Sequence, residues 1–197
     1  RVLLFRLGGD EMSFASLLLS IRNRIFHIDP RSQLEVAIDD GLTVGKHFQM
    51  KDGCILDPGH VFLITIGDNV TLAPRVHILA HDASTKEFTG YTKIGPVTIG
   101  DNVFIGATST VLMGVHIGNN VIVGANSLVS KDIPDGCVCV GNPARVICTT
   151  EEYIEKNKRF QKEKPCFDES YIITNITAEK KAEMKKKLDE EGFGYLV

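Results

Sequence analysis

The sequence predicts a mainly β protein built around a parallel β-helix, and two observations carry this prediction. The first is an aliphatic residue at every sixth position, a period that fits neither the 3.6 residues of an α-helix nor the two of a strand. These aliphatic positions are Ile99, Ile105, Val111, Ile117, Val123 and Val129. The second is a small or β-branched residue four positions after each of them, as at Val103 and Ser109. Short strands and turns, coiled so that each coil supplies the core of its neighbour, explain both observations.

The predicted N-terminal segment, residues 1–37, is helical. From Met12 to Phe26 the apolar residues recur at helical spacing, and Ser13 is the predicted N-cap. Because basic residues are few in this segment, we expect the helix to pack on the core or on a neighbouring subunit rather than on a membrane surface.

The predicted β-helix covers residues 38–148. The same six-residue register appears upstream, where Val44 and Ile66 are each followed by glycine. The register breaks twice, between Leu56 and Ile66 and again from Ser84 to Val97. Insertions into a coil must loop outward, and the second is long enough to be a functional loop.

The predicted C-terminal extension, residues 149–197, is helical. It is charged and rich in helix formers, with threonine caps and a break at Pro165. Its lysine run, residues 180–187, is interleaved with acidic residues. This mixture indicates a solvated helix face rather than a site for polyanions.

Charge and cysteine content narrow the function classes. A net charge of −3 argues against a nucleic-acid-binding protein, for which a strongly basic face would be expected. The five cysteines are odd in number and lack CxxC spacing, which favours a reducing compartment, so the sequence predicts a cytoplasmic protein. No run of about 18 apolar residues and no signal-peptide pattern is found, so no membrane span is expected.

Three stretches carry a resemblance to a known family. "IGDNVFIGA", "IGNNVIVGANSLVSKDIPDG" and "GNPARVI" resemble the left-handed parallel β-helix acyltransferases with hexapeptide repeats. The branch is that of the galactoside, maltose and polysaccharide O-acetyltransferases, and the resemblance runs from Ile38 to Cys148. It implies a left-handed helix, acetyl-coenzyme A as co-substrate, and a homotrimer whose active sites lie between adjacent subunits. No metal and no covalent enzyme intermediate is required.

His81, in "ILAHDAST", is the candidate catalytic base, since histidine suits proton transfer near neutral pH. It stands where the six-residue pattern ends and the long insertion begins, and the catalytic histidine of the resembling enzymes occupies this place. Asp82 is adjacent, but neighbouring side chains on a strand point in opposite directions. Asp57, in "CILDPG", matches an aspartate near the acceptor site of the family and is the predicted substrate-binding carboxylate. It could equally be a turn residue before Pro58.

The resemblance also implies a coenzyme A site. Lys131 and Arg145 match positions that contact the cofactor, where cations suit its phosphates. Ala107, Ala125 and Ser130 match positions at which the backbone meets the pantetheine and adenine ends. Two departures stand out at the same site: Cys148 replaces a frequent basic residue, and Phe104 replaces a common tryptophan.

Two other functions fit parts of the sequence. A zinc carbonic anhydrase on the same fold would need three histidines converging across a subunit interface, with His77, His81 and His116 as candidates. However, His77 and His81 are four residues apart, whereas the familiar spacing is five. A non-catalytic assembly module is the other alternative, against which the retained "KDIP" and "NPAR" motifs argue. The acceptor stays open among a polysaccharide precursor, a free sugar, serine and an antibiotic, and the extensions favour a glycan precursor.

Overall fold

The computed structural model describes residues 4–7, 10–13, 18 and 32–197. Strands β1 (Leu4–Leu7) and β2 (Asp10–Ser13) form an antiparallel hairpin. Met12 and Ser13 therefore lie in a strand, so the predicted helix does not begin as early as Met12, while Ser13 as its N-cap stays a prediction. The backbone N–H and C=O groups of this segment pair with β1, and such pairing cannot be recognised from the period of apolar residues in the sequence. Apart from Leu18, which is helical, the remainder of the predicted N-terminal helix lies outside the described residues.

Helix α1 (Gln33–Asp39) precedes the β-helix. The Ser32 side chain accepts a hydrogen bond from the backbone N–H of Glu35, and the Glu35 carboxylate accepts one from the N–H of Ser32, a capping box. Ala37 is buried in the same core cluster as the coils. The helix thus covers the first coil, which begins at Thr43.

The β-helix has three faces, each a sheet of parallel strands stacked from successive coils. Face 1 contains β3 (Thr43–Val44), β6 (Ile64–Ile66), β11 (Val97–Ile99) and β14 (His116–Ile117). Face 2 contains β4 (Gln49–Met50), β7 (Thr71–Leu72), β12 (Phe104–Ile105), β15 (Ile122–Val123), β17 (Cys137–Val140) and β18 (Arg145–Thr149). Face 3 contains β5 (Ile55–Leu56), β8 (His77–Ile78), β13 (Thr110–Val111) and β16 (Leu128–Val129). Only β18 runs antiparallel to its neighbour in these three sheets, where it closes the last coil.

The predicted repeat is confirmed in the core. On face 2, Leu72, Ile105 and Val123 pair in register from coil to coil, and all three are fully buried. Burying each such side chain contributes about 1.5–3 kcal/mol. A single coil has no partner for this inward face, so stability arises from the stack. The chain therefore folds as a left-handed parallel β-helix.

The "IGDN" motif builds one corner of the helix. Asn69, Asn102 and Asn120 each adopt a φ of 56°, a left-handed conformation that asparagine tolerates better than most residues. Their side chains form a ladder, with Nδ2–Oδ1 distances of 3.0 and 3.1 Å between successive coils. The preceding aspartate, as at Asp101, accepts a hydrogen bond from the backbone N–H of the coil before it. These bonds satisfy backbone donors that the turn leaves free.

Both predicted insertions leave the β-helix at the edge between face 3 and face 1. Residues 57–63 end in a 3₁₀ turn (Val61–Leu63). Residues 79–96 contain β9 (His81–Asp82), the short helix α2 (Lys86–Thr89) and β10 (Lys93–Ile94), with β9 and β10 antiparallel. Because these insertions belong to consecutive coils, they lie side by side.

The C-terminal segment contains α3 (Thr150–Glu163), β19 (Cys166–Phe167), α4 (Ala178–Glu191) and β20 (Tyr195–Leu196). Threonines cap both helices, as predicted, and neither helix has a buried residue. Within α4, Lys187 pairs with Glu183 at 2.8 Å. In the part of the chain that the structure describes, no helix is both long and apolar enough to span a membrane.

Candidate active site

His81 and Asp57 come from different coils and meet at the edge between faces 3 and 1. The backbone N–H of Asp57, just after β5, donates to the carbonyl of Ile78 in the next coil. This register places the Asp57 side chain beneath the start of β9, where His81 lies. The distance from Asp57 Oδ2 to His81 Nδ1 is 2.5 Å. The two residues form a hydrogen-bonded histidine–carboxylate dyad.

The Asp57 carboxylate is fully buried. Its Oδ2 accepts a second hydrogen bond from the N–H of Ala80 (2.8 Å), and its Oδ1 accepts one from the N–H of Gly59 (3.1 Å). Burial by itself raises the pKa of this carboxyl. The bonds from His81, Ala80 and Gly59 outweigh burial, so the pKa of Asp57 lies below its ordinary value. Asp57 is therefore an anion at neutral pH.

The ionised carboxylate fixes the tautomer of His81. A carboxylate only accepts hydrogen bonds, so His81 Nδ1 carries the proton that lies between them. The neutral ring then has its lone pair on Nε2. With 37% of the side chain exposed, His81 is accessible from the surface, and Nε2 is the atom that can take a proton from a bound molecule.

The structure adds His60, which the sequence analysis did not select. His60 Nδ1 lies 3.7 Å from Asp57 Oδ1, and the rings of His60 and His81 are 5.1 Å apart. The sequence contained a signal for His60 in "DPGH". The Gly59 N–H donates to the Asp57 side chain and closes a turn, which brings the residue three positions after Asp57 back beside its carboxylate. Histidine three residues after an aspartate in such a turn is a pattern that could have identified it.

Asp82 faces away from His81, as strand alternation predicts. Its carboxylate accepts hydrogen bonds from the N–H of Ser84 at 2.8 Å and from Lys93 Nζ at 3.1 Å. The bonds from Ser84 and then Lys93 lower the pKa of Asp82 to about 2. Asp82 thus supports the β9–β10 hairpin.

The remaining candidate histidines lie elsewhere. His47 is exposed at a corner, His77 is half-buried on face 3, and His116 is exposed on face 1. Among residues 32–197, the histidines that join a cluster of possible metal ligands are His60 and His81, together with Asp57. A site made from His77, His81 and His116 across subunits stays a prediction.

The predicted coenzyme A residues occupy two edges. Lys131 and Arg145 line one surface depression, with the exposed Ser130 adjacent. Lys131 follows β16, so it lies on the same edge as His81, two coils further along. At about 4.8 Å per coil, this is a rise of about 10 Å. Ala107 and Ala125 lie instead on the edge between faces 2 and 3, on adjacent coils joined through the carbonyl of Ala107.

Comparison with known proteins agrees with this fold. Residues 96–131 match the family described as the hexapeptide repeat of succinyl-transferase. The chain is 45% identical over 96 residues to YvoF of Bacillus subtilis (strain 168), covering 49% of this chain and 54% of YvoF.

Two crystal structures are also similar. A maltose O-acetyltransferase from Clostridium difficile 630 is 44% identical, with a TM-score of 0.50, covering 55% of this chain and 59% of that one. A hexapeptide-repeat acetyltransferase from Vibrio cholerae O1 biovar eltor, complexed with acetyl-coenzyme A, is 29% identical, with a TM-score of 0.51, covering 56% of this chain and 61% of that one.

The chain spans between about half and three fifths of the length of these three proteins. In its repeat motif and in its left-handed β-helix, the chain resembles the hexapeptide-repeat acetyltransferases.

Proposed function

We propose that this protein is an acetyl-coenzyme A-dependent O-acetyltransferase in which His81 is the general base. The dyad of His81 and Asp57 is the single observation that carries the proposal. It stands on an accessible edge, its carboxylate is buried and ionised, and its geometry leaves Nε2 free to accept a proton. The likeness to a maltose O-acetyltransferase and to an acetyltransferase bound to acetyl-coenzyme A supports the same chemistry.

The reaction follows from the dyad. His81 Nε2 takes the proton of an acceptor hydroxyl while the oxygen of that hydroxyl attacks the thioester carbonyl. The new C–O bond forms, the C–S bond breaks, and the proton passes from His81 to the departing thiolate of coenzyme A. Asp57, which the resemblance assigned to the substrate site, is fully buried and bonded to His81. It is therefore proposed instead as a positioning residue for His81; it stays ionised throughout and stabilises the transient imidazolium charge. Backbone N–H groups near the site would stabilise the oxyanion.

Lys131 and Arg145 are proposed to bind the phosphates of coenzyme A. Lys131, in their shared depression, lies on the same edge as His81 and about 10 Å further along the helix axis, by the strand spacing of stacked coils. Coenzyme A carries its phosphates and its thioester at opposite ends of a long arm. A phosphate-binding cation and a catalytic histidine separated along one edge of the helix suit a molecule of that shape. Ser130 is proposed to contact the arm through backbone groups. Ala107 and Ala125 lie on the edge between faces 2 and 3, so they would contact an arm held against the adjacent subunit of the proposed trimer.

The acceptor is proposed to be a hydroxyl of a sugar or of a polysaccharide precursor, by similarity to the maltose enzyme. A homotrimer with sites between subunits is proposed from the resemblance. A cytoplasmic location is proposed because all five cysteines are free thiols.

The test is release of the coenzyme A thiol from acetyl-coenzyme A in the presence of a panel of sugars and glycan fragments. Wild-type protein should release thiol with at least one hydroxyl acceptor, and the acetylated product should carry an ester. His81→Ala should lose this activity while His116→Ala, which changes an exposed histidine on face 1, retains it. Equal activity in the His81→Ala variant would refute His81 as the base.

A further inference from the structure

We propose that Asp57, His60 and His81 form a binding site for Zn²⁺, and that occupation of this site prevents His81 from acting as a base. The first part stands on geometry alone. The second part rests on the proposed function, because it describes regulation of the same site.

The donor set and its spacing suit zinc. One ligand atom from each residue can be chosen so that all three lie within 4.8 Å of one another. Two imidazoles and one carboxylate, with a fourth position for water, make a common tetrahedral zinc arrangement, with bonds of about 2.0–2.2 Å. Tetrahedral geometry then separates neighbouring ligand atoms by about 3.3 Å. The observed separations, 2.5 Å for His81 and 3.7 Å for His60 from the two Asp57 oxygens, fall on either side of this value.

His60 supplies an independent observation. Its Nδ1 is buried and has no hydrogen-bond partner in the described structure. A buried polar atom without a partner is unfavourable, and native proteins usually satisfy it with protein, water or an ion. At 3.7 Å the Asp57 carboxylate is too distant for a hydrogen bond. A cation between His60 and Asp57 would satisfy both groups.

Rigidity around the carboxylate favours the site further. The backbone N–H groups of Ala80 and Gly59 hold the two Asp57 oxygens in place. Each oxygen thus faces one of the two histidines, so the carboxylate lies between the two imidazole rings. A fixed carboxylate between two histidines reduces the ordering that metal binding requires.

Zinc and base catalysis exclude one another at His81. In the metal-free dyad, Nδ1 carries the proton and Nε2 has the lone pair. Zinc binds through the lone pair of Nδ1 and so displaces that proton. The neutral ring has a single N–H proton, which therefore moves from Nδ1 to Nε2, and Nε2 can no longer accept a proton from a hydroxyl. Zinc therefore acts as an inhibitor through a change of tautomer.

The test is competition for Zn²⁺ between the chelator-stripped protein and a chromogenic chelator. Wild-type protein should bind one Zn²⁺ per chain. Loss of a group that merely supports a ligand weakens metal binding by about 10–100-fold, so His60→Gln should raise the Kd for Zn²⁺ at least about tenfold. The matched control is His116→Gln, an exposed histidine on face 1, which should leave the Kd unchanged. If His60→Gln fails to fold by circular dichroism, His81→Gln takes its place.

No saturable binding by the wild type, or an equal loss in the control, would overturn the zinc site. A parallel measurement adds Zn²⁺ to the acetyl-transfer assay, where activity should fall with the same Kd and recover with chelator. Because zinc binding is measured without substrate, the zinc site and the proposed acetyl-transfer activity can each be refuted independently of the other. Binding without any acetyl transfer would refute the proposed function alone, and transfer unaffected by bound zinc would refute the inhibition.

Discussion

Replacing Asp57 with asparagine removes the negative charge beneath His81 and keeps the shape of the side chain. In the better of its two orientations the amide oxygen takes the place of Oδ2 and still accepts from His81 and Ala80. The amide nitrogen then faces the N–H of Gly59, donor against donor. The substitution therefore separates the effect of charge from the effect of shape.

The expected loss of activity follows from the strength of the bond that changes. A hydrogen bond to a charged group contributes about 1.5–3 kcal/mol and one between neutral groups about 0.5–1.5 kcal/mol. The difference of roughly 1–1.5 kcal/mol applies when His81 carries a full positive charge, as in the transition state. Since each 1.4 kcal/mol is about tenfold in rate, Asp57→Asn should lower kcat by about fivefold to twelvefold.

The stability should also fall, because the Gly59 N–H loses its acceptor and the new amide N–H group has none at this buried position. An unsatisfied buried polar group costs about 1–3 kcal/mol. Urea denaturation measures this loss, and thiol release at saturating acetyl-coenzyme A measures kcat. Asp82→Asn is the matched control, because Asp82 adjoins His81 in sequence but bonds to Ser84 and Lys93. A kcat for Asp57→Asn within twofold of wild type, or an equal loss in the control, would refute the role of the dyad.

Three further predictions concern stability. Ile117→Ala should lower the free energy of unfolding in a urea titration by about 2–5 kcal/mol, because Ile117 is fully buried. In the same titration His116→Ala should change this free energy by less than about 0.5 kcal/mol, because His116 is exposed. Gly106→Ala should lower the melting temperature, because a Cβ there would lie 2.4 Å from the backbone nitrogen of Ala125; an unchanged value would contradict this packing. The folded pKa of Asp57 is below the unfolded value of about 3.9, so its contribution to stability is present above pH 4 and is lost as the pH falls below it. Urea titrations of Asp57→Asn should show a weaker acid dependence below pH 4, and an identical dependence would count against the shift.

The β-helix was predictable because its repeat is visible in the sequence as an aliphatic residue at every sixth position. Each inward position, such as Ile105, packs against the equivalent position of the next coil. The six-residue period alone therefore identifies the core residues, and no contact between distant parts of the chain has to be known. The N-terminal hairpin was not predictable in this way. Met12 and Ser13 belong to a strand because they pair with Phe5 and Leu4, and pairing partners leave no period in the sequence.

The candidate site was predictable residue by residue but not as an assembly. His81 could be selected from its position at the end of the repeat. Its contact with Asp57, 24 residues earlier, depends on two insertions leaving the helix at the same edge in consecutive coils. The approach of His60 depends further on how the turn at Gly59 closes. These features are set by tertiary register, which the sequence pattern does not specify.

Isothermal titration of acetyl-coenzyme A into the protein, without an acceptor, is the direct test of the proposed acetyltransferase activity. We expect saturable binding with about one site per chain. Lys131→Ala and Arg145→Ala should each raise the Kd by up to about fivefold, since an exposed ion pair contributes up to about 1 kcal/mol. Lys51→Ala, an exposed lysine of the first coil, should leave the Kd unchanged. Absence of binding at millimolar acetyl-coenzyme A would contradict the proposal that this β-helix is an acetyltransferase.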